Sequence, residues 1–277
     1  MKRHLTILLA LIGVMVMCGG CRQTPSLEEY WSEVTPEWVM ADVAAAESHF
    51  TEWTERLAKA PKEQQHRSVD SLVELMCKDE VCAYIYFEWS VNVLYGLWSP
   101  TRNEETFGYL LQRINEEPVL ESIRSAETRR LGELLQHNRV GSPAEDFVMY
   151  DSCGNESTLG EIRGDKSLLL LLVDITCPSC IDIIAEVESQ QPIMKAAQRG
   201  EVRLLAVAVG SHPMQLESFA KEHEGSLWQV RGASRGALEG AYYDADASPC
   251  LWLIGEQGSI EVGITRQMEA ISDCLTR

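Results

Sequence analysis

The chain of 277 residues is 45% hydrophobic and 24% charged, a globular balance that excludes a wholly disordered, collagen-like or polytopic membrane protein. Its formal net charge is −18, and the acids are spread evenly: 13 basic face 21 acidic side chains in residues 1–138, and 11 face 21 in residues 139–277. Two acidic halves argue against a nucleic-acid footprint and against electrostatic binding to anionic lipid, while nine cysteines direct attention to an oxidising compartment and thiol chemistry.

Met1-Lys2-Arg3-His4 is a short basic start, and Leu5 to Met17 is almost entirely apolar, too short to span a bilayer with its flanks and suited to a signal-peptide core. It runs into Cys18-Gly19-Gly20-Cys21. Small residues ahead of a cysteine, directly after such a core, resemble the lipobox of bacterial lipoproteins, with Cys21 the better lipidation residue because two glycines precede it. Residues 1–20 are then a lipoprotein signal peptide that takes Cys18 away; an ordinary secretory signal cut elsewhere is the competing reading. Loss of Lys2 and Arg3 moves the charge from −18 to −20, so the attachment rests on acyl chains.

From Ser26 to about Asn138 the pattern is helix after helix, so residues 21–138 are expected to form an all-α helical domain. Val39 to Leu57 carries apolar residues at spacings of three and four, Val69 to Met76 and Ala83 to Leu97 continue the period, and Ser99-Pro100 breaks it. Arg102 to Ile114 and Val119 to Leu135 add two more amphipathic stretches, giving four or five helices. Trp31, Trp38, Trp53, Tyr84, Tyr86, Trp89, Tyr95 and Trp98 read as core at helical spacing in preference to a sugar- or cofactor-stacking box.

At Arg139-Val140-Gly141-Ser142-Pro143 the texture changes, opening a second domain over residues 139–277. Val148-Met149-Tyr150 reads as a short strand, and Asp151 to Asn155 as a turn. The unbroken apolar run Leu168 to Val173 is expected to be a central strand covered on both faces. Ile181 to Ala197 is helical, Val202 to Val209 a second buried strand, and Met214 to His223 a helix. Leu251 to Ile254 and Ile260 to Gly263 flank Gly255-Glu256-Gln257-Gly258 as a hairpin, and Met268 to Leu275 closes with a helix. The fold class is α/β, this being the order of a thioredoxin-like C-terminal domain preceded by the helical one.

Cys177-Pro178-Ser179-Cys180 follows the buried strand and opens a helix. Cys177 would sit where unpaired N–H groups and the helix dipole favour the thiolate, the nucleophile of disulfide exchange. Cys180, one turn later on the same face, can attack the mixed disulfide formed at Cys177, and Pro178 suits a first turn because it needs no N–H partner. A structural disulfide or half a zinc site competes with this reading. Zinc needs a second C-x-x-C or a His pair, and His212 and His223 are not at ligand spacing, so no metal and no cofactor beyond a redox-active disulfide are expected.

Together, Gly141-x-Pro143-Ala144-x-Asp146-Phe147, the turn at Gly154, Leu168–Leu172, Cys177-x-x-Cys180, Ser248-Pro249 before Leu251–Ile254, and Gly258 resemble the TlpA/ResA-like thiol-disulfide oxidoreductases of bacterial envelopes, over about residues 139–277. Leu94 to Glu105 looks like the helical domain that precedes the thioredoxin-like domain in a group of lipoproteins of that family. The resemblance implies that Pro249 is a cis-proline facing the active-site disulfide, beside which substrate backbone pairs in strand-like fashion. The Trp that commonly precedes the first active-site cysteine is Thr176 here, which puts substrate preference in doubt and leaves the exchange chemistry intact. Asp174 either raises the Cys177 pKa by its charge, accepts a proton from Cys180 through water, or merely caps the following helix. A carboxylate there also recurs in the lipoprotein group. A peroxiredoxin-type peroxidase has Thr or Ser three residues ahead of its reactive cysteine, the position Asp174 holds.

Cys77 and Cys82 cannot bridge within one unbroken helix, whose rise would carry their Cα atoms beyond about 7 Å, but a loop at Lys78-Asp79-Glu80 would allow a structural disulfide. Cys250 reads as a strand core residue with a third active-site thiol as the alternative, and the pairing of Cys153 and Cys274 stays open. The expected function is a lipid-anchored envelope oxidoreductase facing the periplasm or cell surface, with protein thiols or disulfides as substrates, a membrane or periplasmic redox partner and no nucleic acid. The alternative is a non-catalytic lipoprotein that binds partners through its helical domain.

Overall fold

The computed structural model describes residues 26–277; the expected signal segment, Cys18 and the expected lipidation residue Cys21 lie outside the described residues. Short polar side chains set the helix ends in the first half. Pro36–Ala41 (α1) stops at Asp42, whose carboxylate accepts the Ala45 N–H at 3.0 Å and starts Val43–Leu57 (α2). The helix expected from Val39 is therefore two, because Asp42 satisfies donors that a new first turn leaves without partners. Lys62–Met76 (α3) is followed by Glu80–Ser90 (α4), where Asp79 accepts the Cys82 N–H at 2.8 Å. Glu104–Glu116 (α5) starts at Asn103, which takes the Thr106 N–H at 3.0 Å. The stretch expected as helix from Val119 breaks as well: a single 3-10 turn over Pro118–Leu120 precedes Ala126–Leu134 (α6), capped by Ser125.

The aromatic residues divide as their surroundings dictate. Trp31, Phe50, Trp53 and Tyr86 are fully buried, with Trp31 meeting Trp53 and Tyr86 edge to face at centroid distances of 5.2 and 5.3 Å. Tyr84 and Trp98 are 57% and 75% exposed and form no part of that core. Trp98 is presented just after α4 passes into a π-helical segment, Val91–Tyr95. Gly96 ends that segment, where a Cβ would collide with the Asn92 carbonyl oxygen.

The second half is one seven-stranded sheet with helices on both faces. Its elements are Val148–Tyr150 (β1), Glu156–Thr158 (β2), Leu159–Arg163 (α7), Ser167–Val173 (β3), Pro178–Ser189 (α8), Gln191–Gln198 (α9) and Val202–Val209 (β4). Then come Pro213–Glu222 (α10), Trp228–Ala233 (β5), Arg235–Gly240 (α11), Cys250–Ile254 (β6), Ile260–Thr265 (β7) and Met268–Leu275 (α12). The strand order is β2-β1-β5-β4-β3-β6-β7, with β3 parallel to β4 and antiparallel to β6. Leu169, Leu171 and Val173 enter the core on one face of β3, and Leu168, Leu170 and Leu172 enter the other. That is why the run has no polar alternation. The helix expected over 181–197 is split at Gln190, with Pro192 in the first turn of α9.

The two halves dock through polar contacts that cross more than a hundred residues of sequence. Asp244, nearly buried, accepts from Tyr95 Oη at 2.8 Å and from Arg130 Nη1 at 3.0 Å. Arg102 donates to the Ile264 carbonyl at 2.7 Å, and Leu97 packs against the second core. Asn138, in left-handed conformation at φ 48°, donates to the Ala241 carbonyl at 2.9 Å and accepts the Glu145 N–H at 2.8 Å, fastening the connecting segment.

Candidate active site

The site grows from the end of β3. Asp174, Ile175 and Thr176 turn the chain, and Cys177 is the N-cap of α8 with Pro178 in its first turn. Cys177 has non-helical φ −103°, while its carbonyl already accepts the Cys180 N–H at 2.9 Å, so its sulfur stands at the end of the helix where the backbone donors are unpaired. Cys177 and Cys180 are joined as a disulfide with their Cα atoms 5.2 Å apart, one turn of α8 holding them on one face. Cys177 is half-buried among exposed neighbours, whereas Cys180 packs against the core that contains Ile183 and Ile184. Cys180 is half-buried as well, so what separates the two sulfurs is their place on the helix, one at its end and one a turn inside.

Ser179 is a residue of this site to which the sequence alone gives no role. Its hydroxyl lies 3.3 Å from Cys177 Sγ and can donate to a thiolate there. Its place inside the C-x-x-C is plain from the sequence; the direction of its side chain is not.

Asp174 takes the Thr176 backbone N–H at 2.8 Å and the Thr176 hydroxyl at 2.7 Å, both on Oδ1. These two bonds hold its carboxyl below the usual carboxylate range, with a smaller contribution from the Arg235 charge. None of the three roles open at the sequence level matches this geometry outright: Asp174 ties the turn ahead of α8 and does not cap that helix, whose N-cap is Cys177, and a carboxylate that stays ionised is poorly suited to hold a proton near neutral pH. Thr176, which stands where the family commonly has a Trp, is what fixes that turn.

Across the sheet, Leu172 of β3 faces Cys250 of β6, so Ser248 and Pro249 lie level with the end of β3 from which the active-site turn departs. The Ser248–Pro249 peptide bond is cis. Cys250 itself is fully buried; its thiol donates to the Asp244 carbonyl at 3.9 Å, and burial pushes its pKa well up. That environment suits a core thiol and not a third exchanging one. The bridge expected between Cys77 and Cys82 is not formed. Cys77 ends α3 and Cys82 lies in the first turn of α4, and both are free thiols although the intervening loop exists. Cys82 is turned into the helical core, where burial raises it to about 11. Cys153 is an exposed free thiol, and Cys274 is a half-buried one beside Glu261.

No protein-family profile matches the chain. Two curated relatives share 31% identity over 129 residues: the thiol-disulfide oxidoreductase ResA of Geobacillus kaustophilus and that of Geobacillus thermodenitrificans. Each alignment covers 47% of this chain and 71% of the relative. Among solved structures, a thioredoxin-like protein from Bacteroides caccae superposes with a TM-score of 0.75 at 20% identity, covering 99% of both chains. That likeness extends the shared fold to the helical half.

Proposed function

The chain belongs to the ResA-type thiol-disulfide oxidoreductases, and from that premise we propose that it exchanges disulfides with protein substrates through Cys177 and Cys180 in a bacterial cell envelope. The observation that carries the reading is the placement of Cys177 at the N-terminus of α8, disulfide-bonded to Cys180 one turn inside the helix.

In the reducing direction the Cys177 thiolate attacks one sulfur of a substrate disulfide. The Cys177–substrate bond forms, the substrate S–S bond breaks, and its electron pair leaves on the other substrate sulfur, which takes a proton from water. Cys180 then gives up its proton to solvent and attacks Cys177 Sγ. The mixed disulfide breaks, the second substrate thiol is released and the Cys177–Cys180 bond is restored. Two electrons have passed to the substrate, and a dithiol partner must return them. In the oxidising direction every step reverses, with a disulfide-bearing partner as the acceptor; the potential of the pair sets the direction. The helix N-terminus and the Ser179 hydroxyl stabilise the Cys177 thiolate in either case. Pro249, level with the turn, offers backbone for substrate pairing, and Ser248 precedes it. The cycle uses no cofactor or metal beyond the cysteine pair.

The reading includes lipidation of Cys21 after removal of residues 1–20, supported by the basic start, the apolar core and Gly19-Gly20. Fatty-acid labelling lost in Cys21→Ala is the expected result, and unchanged labelling removes the anchor from the reading. For the chemistry, Cys180→Ser is expected to accumulate mixed disulfides on Cys177 in cells, and Cys177→Ser to abolish reduction of insulin disulfides. If Cys180→Ser yields no adduct and the wild type neither reduces nor oxidises a model disulfide, the exchange reading fails.

A further inference from the structure

Between the two halves lies a cavity of about 310 Å³ that opens beside Ser248, with Leu97 and Trp98 on the helical side and Asp246, Ser248 and Arg266 on the other. Its position is set by the sheet. Arg266 follows β7 directly, Thr265 pairs with Leu251 of β6, and Cys250 pairs with Leu172 of β3, so Arg266, Pro249 and the turn leading to Cys177 stand in one row at the same sheet end. A polypeptide held by its cysteine at Cys177 and running past Pro249 would next meet this cavity.

The charges around it are unequal in a telling way. Arg130 is bonded to Glu127 and Asp244 and lies 3.7 Å from Asp246, while Arg235 also pairs with Asp246. Every carboxylate of the cavity wall therefore has an arginine. Arg266 has none at ion-pair distance: among the described residues no carboxylate lies within 4 Å of it, Glu186 of α8 acts on it only from farther away, and its buried Nε has no hydrogen-bond partner. Instead its guanidinium lies 3.7 Å above the Trp98 ring, and Trp98 is 75% exposed. In a chain with 42 acidic against 24 basic side chains, a cation left without a carboxylate beside the candidate active site calls for an anionic group from outside.

We infer that this cavity is a substrate subsite, in which Arg266 pairs with an acidic side chain flanking the substrate's cysteine and Trp98 packs along the same segment. The helical half, through Trp98, would then help select which disulfides reach Cys177. The inference rests on the exchange reading above and adds to it the class of substrate: extended polypeptide segments with a carboxylate near the reactive cysteine.

Two disulfide-linked peptide dimers test it, identical except that Glu or Lys flanks the cysteine. Reduced wild-type protein is expected to react about fivefold faster with the Glu peptide at low salt, the factor one partly exposed ion pair can give. Arg266→Gln is expected to bring the rate ratio close to one, and Arg266→Glu to invert it; Trp98→Ala, at an exposed position, should slow both peptides. A wild-type ratio near one, or a preference that survives in both Arg266 variants, overturns the subsite. So does self-association of the wild type that Trp98→Ala abolishes, which would assign the cavity to a second copy of the chain. Exchange of the wild type with uncharged bis(2-hydroxyethyl) disulfide separates the two levels: if it proceeds while the peptides show no charge preference, only the subsite falls, and if neither it nor either peptide exchanges and Cys180→Ser traps no adduct, the exchange reading falls with it.

Discussion

The Ser179 hydroxyl lies 3.3 Å from Cys177 Sγ, inside the same turn that presents the sulfur at the start of α8. When the disulfide is opened, that hydroxyl becomes a donor to the Cys177 thiolate and adds to the backbone groups at the helix end. Ser179→Ala is expected to raise the Cys177 pKa by about half a unit to one unit, the range of a single solvent-accessible hydrogen bond. Ultraviolet absorbance of the thiolate against pH, in protein whose other cysteines are replaced, measures it. An unchanged midpoint would show that the helix end alone sets the thiolate.

Asp174 and Thr176 make a prediction on the acid side. The Asp174 carboxyl is held below its ordinary value by two hydrogen bonds from Thr176, so the stability it contributes is present above its unfolded value near 4 and is lost as pH falls through the lower folded value. Thr176→Val removes the hydroxyl and keeps the backbone donor. The variant is expected to show an upward-shifted Asp174 titration by carboxyl NMR, slightly lower stability at neutral pH, and a shallower loss of stability below about pH 4. A wild-type Asp174 that titrates in the ordinary range would remove the turn-capping account.

The docking of the two halves depends on Asp244. It is nearly buried and serves both Tyr95 and Arg130, and burial, followed by the Asp244 charge, raises the Tyr95 hydroxyl far above its usual value, so Tyr95 is a neutral donor throughout the working range. Asp244→Ala leaves two donors without their acceptor, although Arg130 keeps Glu127. The expected cost is about 2 kcal/mol, below that of breaking a fully buried pair because Arg130 is partly exposed. Urea unfolding followed by helix and Trp signals should separate into two transitions in the variant. A single transition with unchanged midpoint would mean that the apolar contact of Leu97 carries the docking.

Much of the candidate site is legible in the sequence, because its signals are local. The six apolar residues Leu168 to Val173, the following turn and the C-x-x-C specify strand, turn and helix within thirteen positions. Strand β5 leaves a weak signal since Gln229 and Arg231 interrupt a short run at the parallel edge of β4, and β2 is only three residues long. Helix boundaries depart from the apolar period at Asp42 and Ser125, where one capping side chain outweighs its continuation. The cavity leaves no trace in the sequence for a different reason. Trp98 and Arg266 are separated by most of the chain, and only the docking of the helical half onto the sheet edge brings ring and guanidinium together.

The remaining cysteines yield a ranking by access and acidity. Cys153 is exposed; Cys77 and Cys274 are half-buried with thiols raised by burial; Cys82 is buried and raised to about 11; Cys250 is buried and raised well beyond an ordinary thiol. Alkylation requires both the thiolate and a path to it, so each step down this series multiplies two penalties. Maleimide at mildly alkaline pH, added to the non-reduced protein, is expected to modify Cys153 first, Cys77 and Cys274 more slowly, and Cys82 and Cys250 only on unfolding. Cys177 and Cys180 should join the fast class after mild reduction, Cys177 ahead of Cys180 because Cys180 packs against the core. Peptide mapping by mass spectrometry reads every position at once. Recovery of Cys77 and Cys82 as one disulfide-linked peptide would contradict their description as free thiols, and rapid labelling of Cys250 in the folded protein would restore it as a third thiol of the active site.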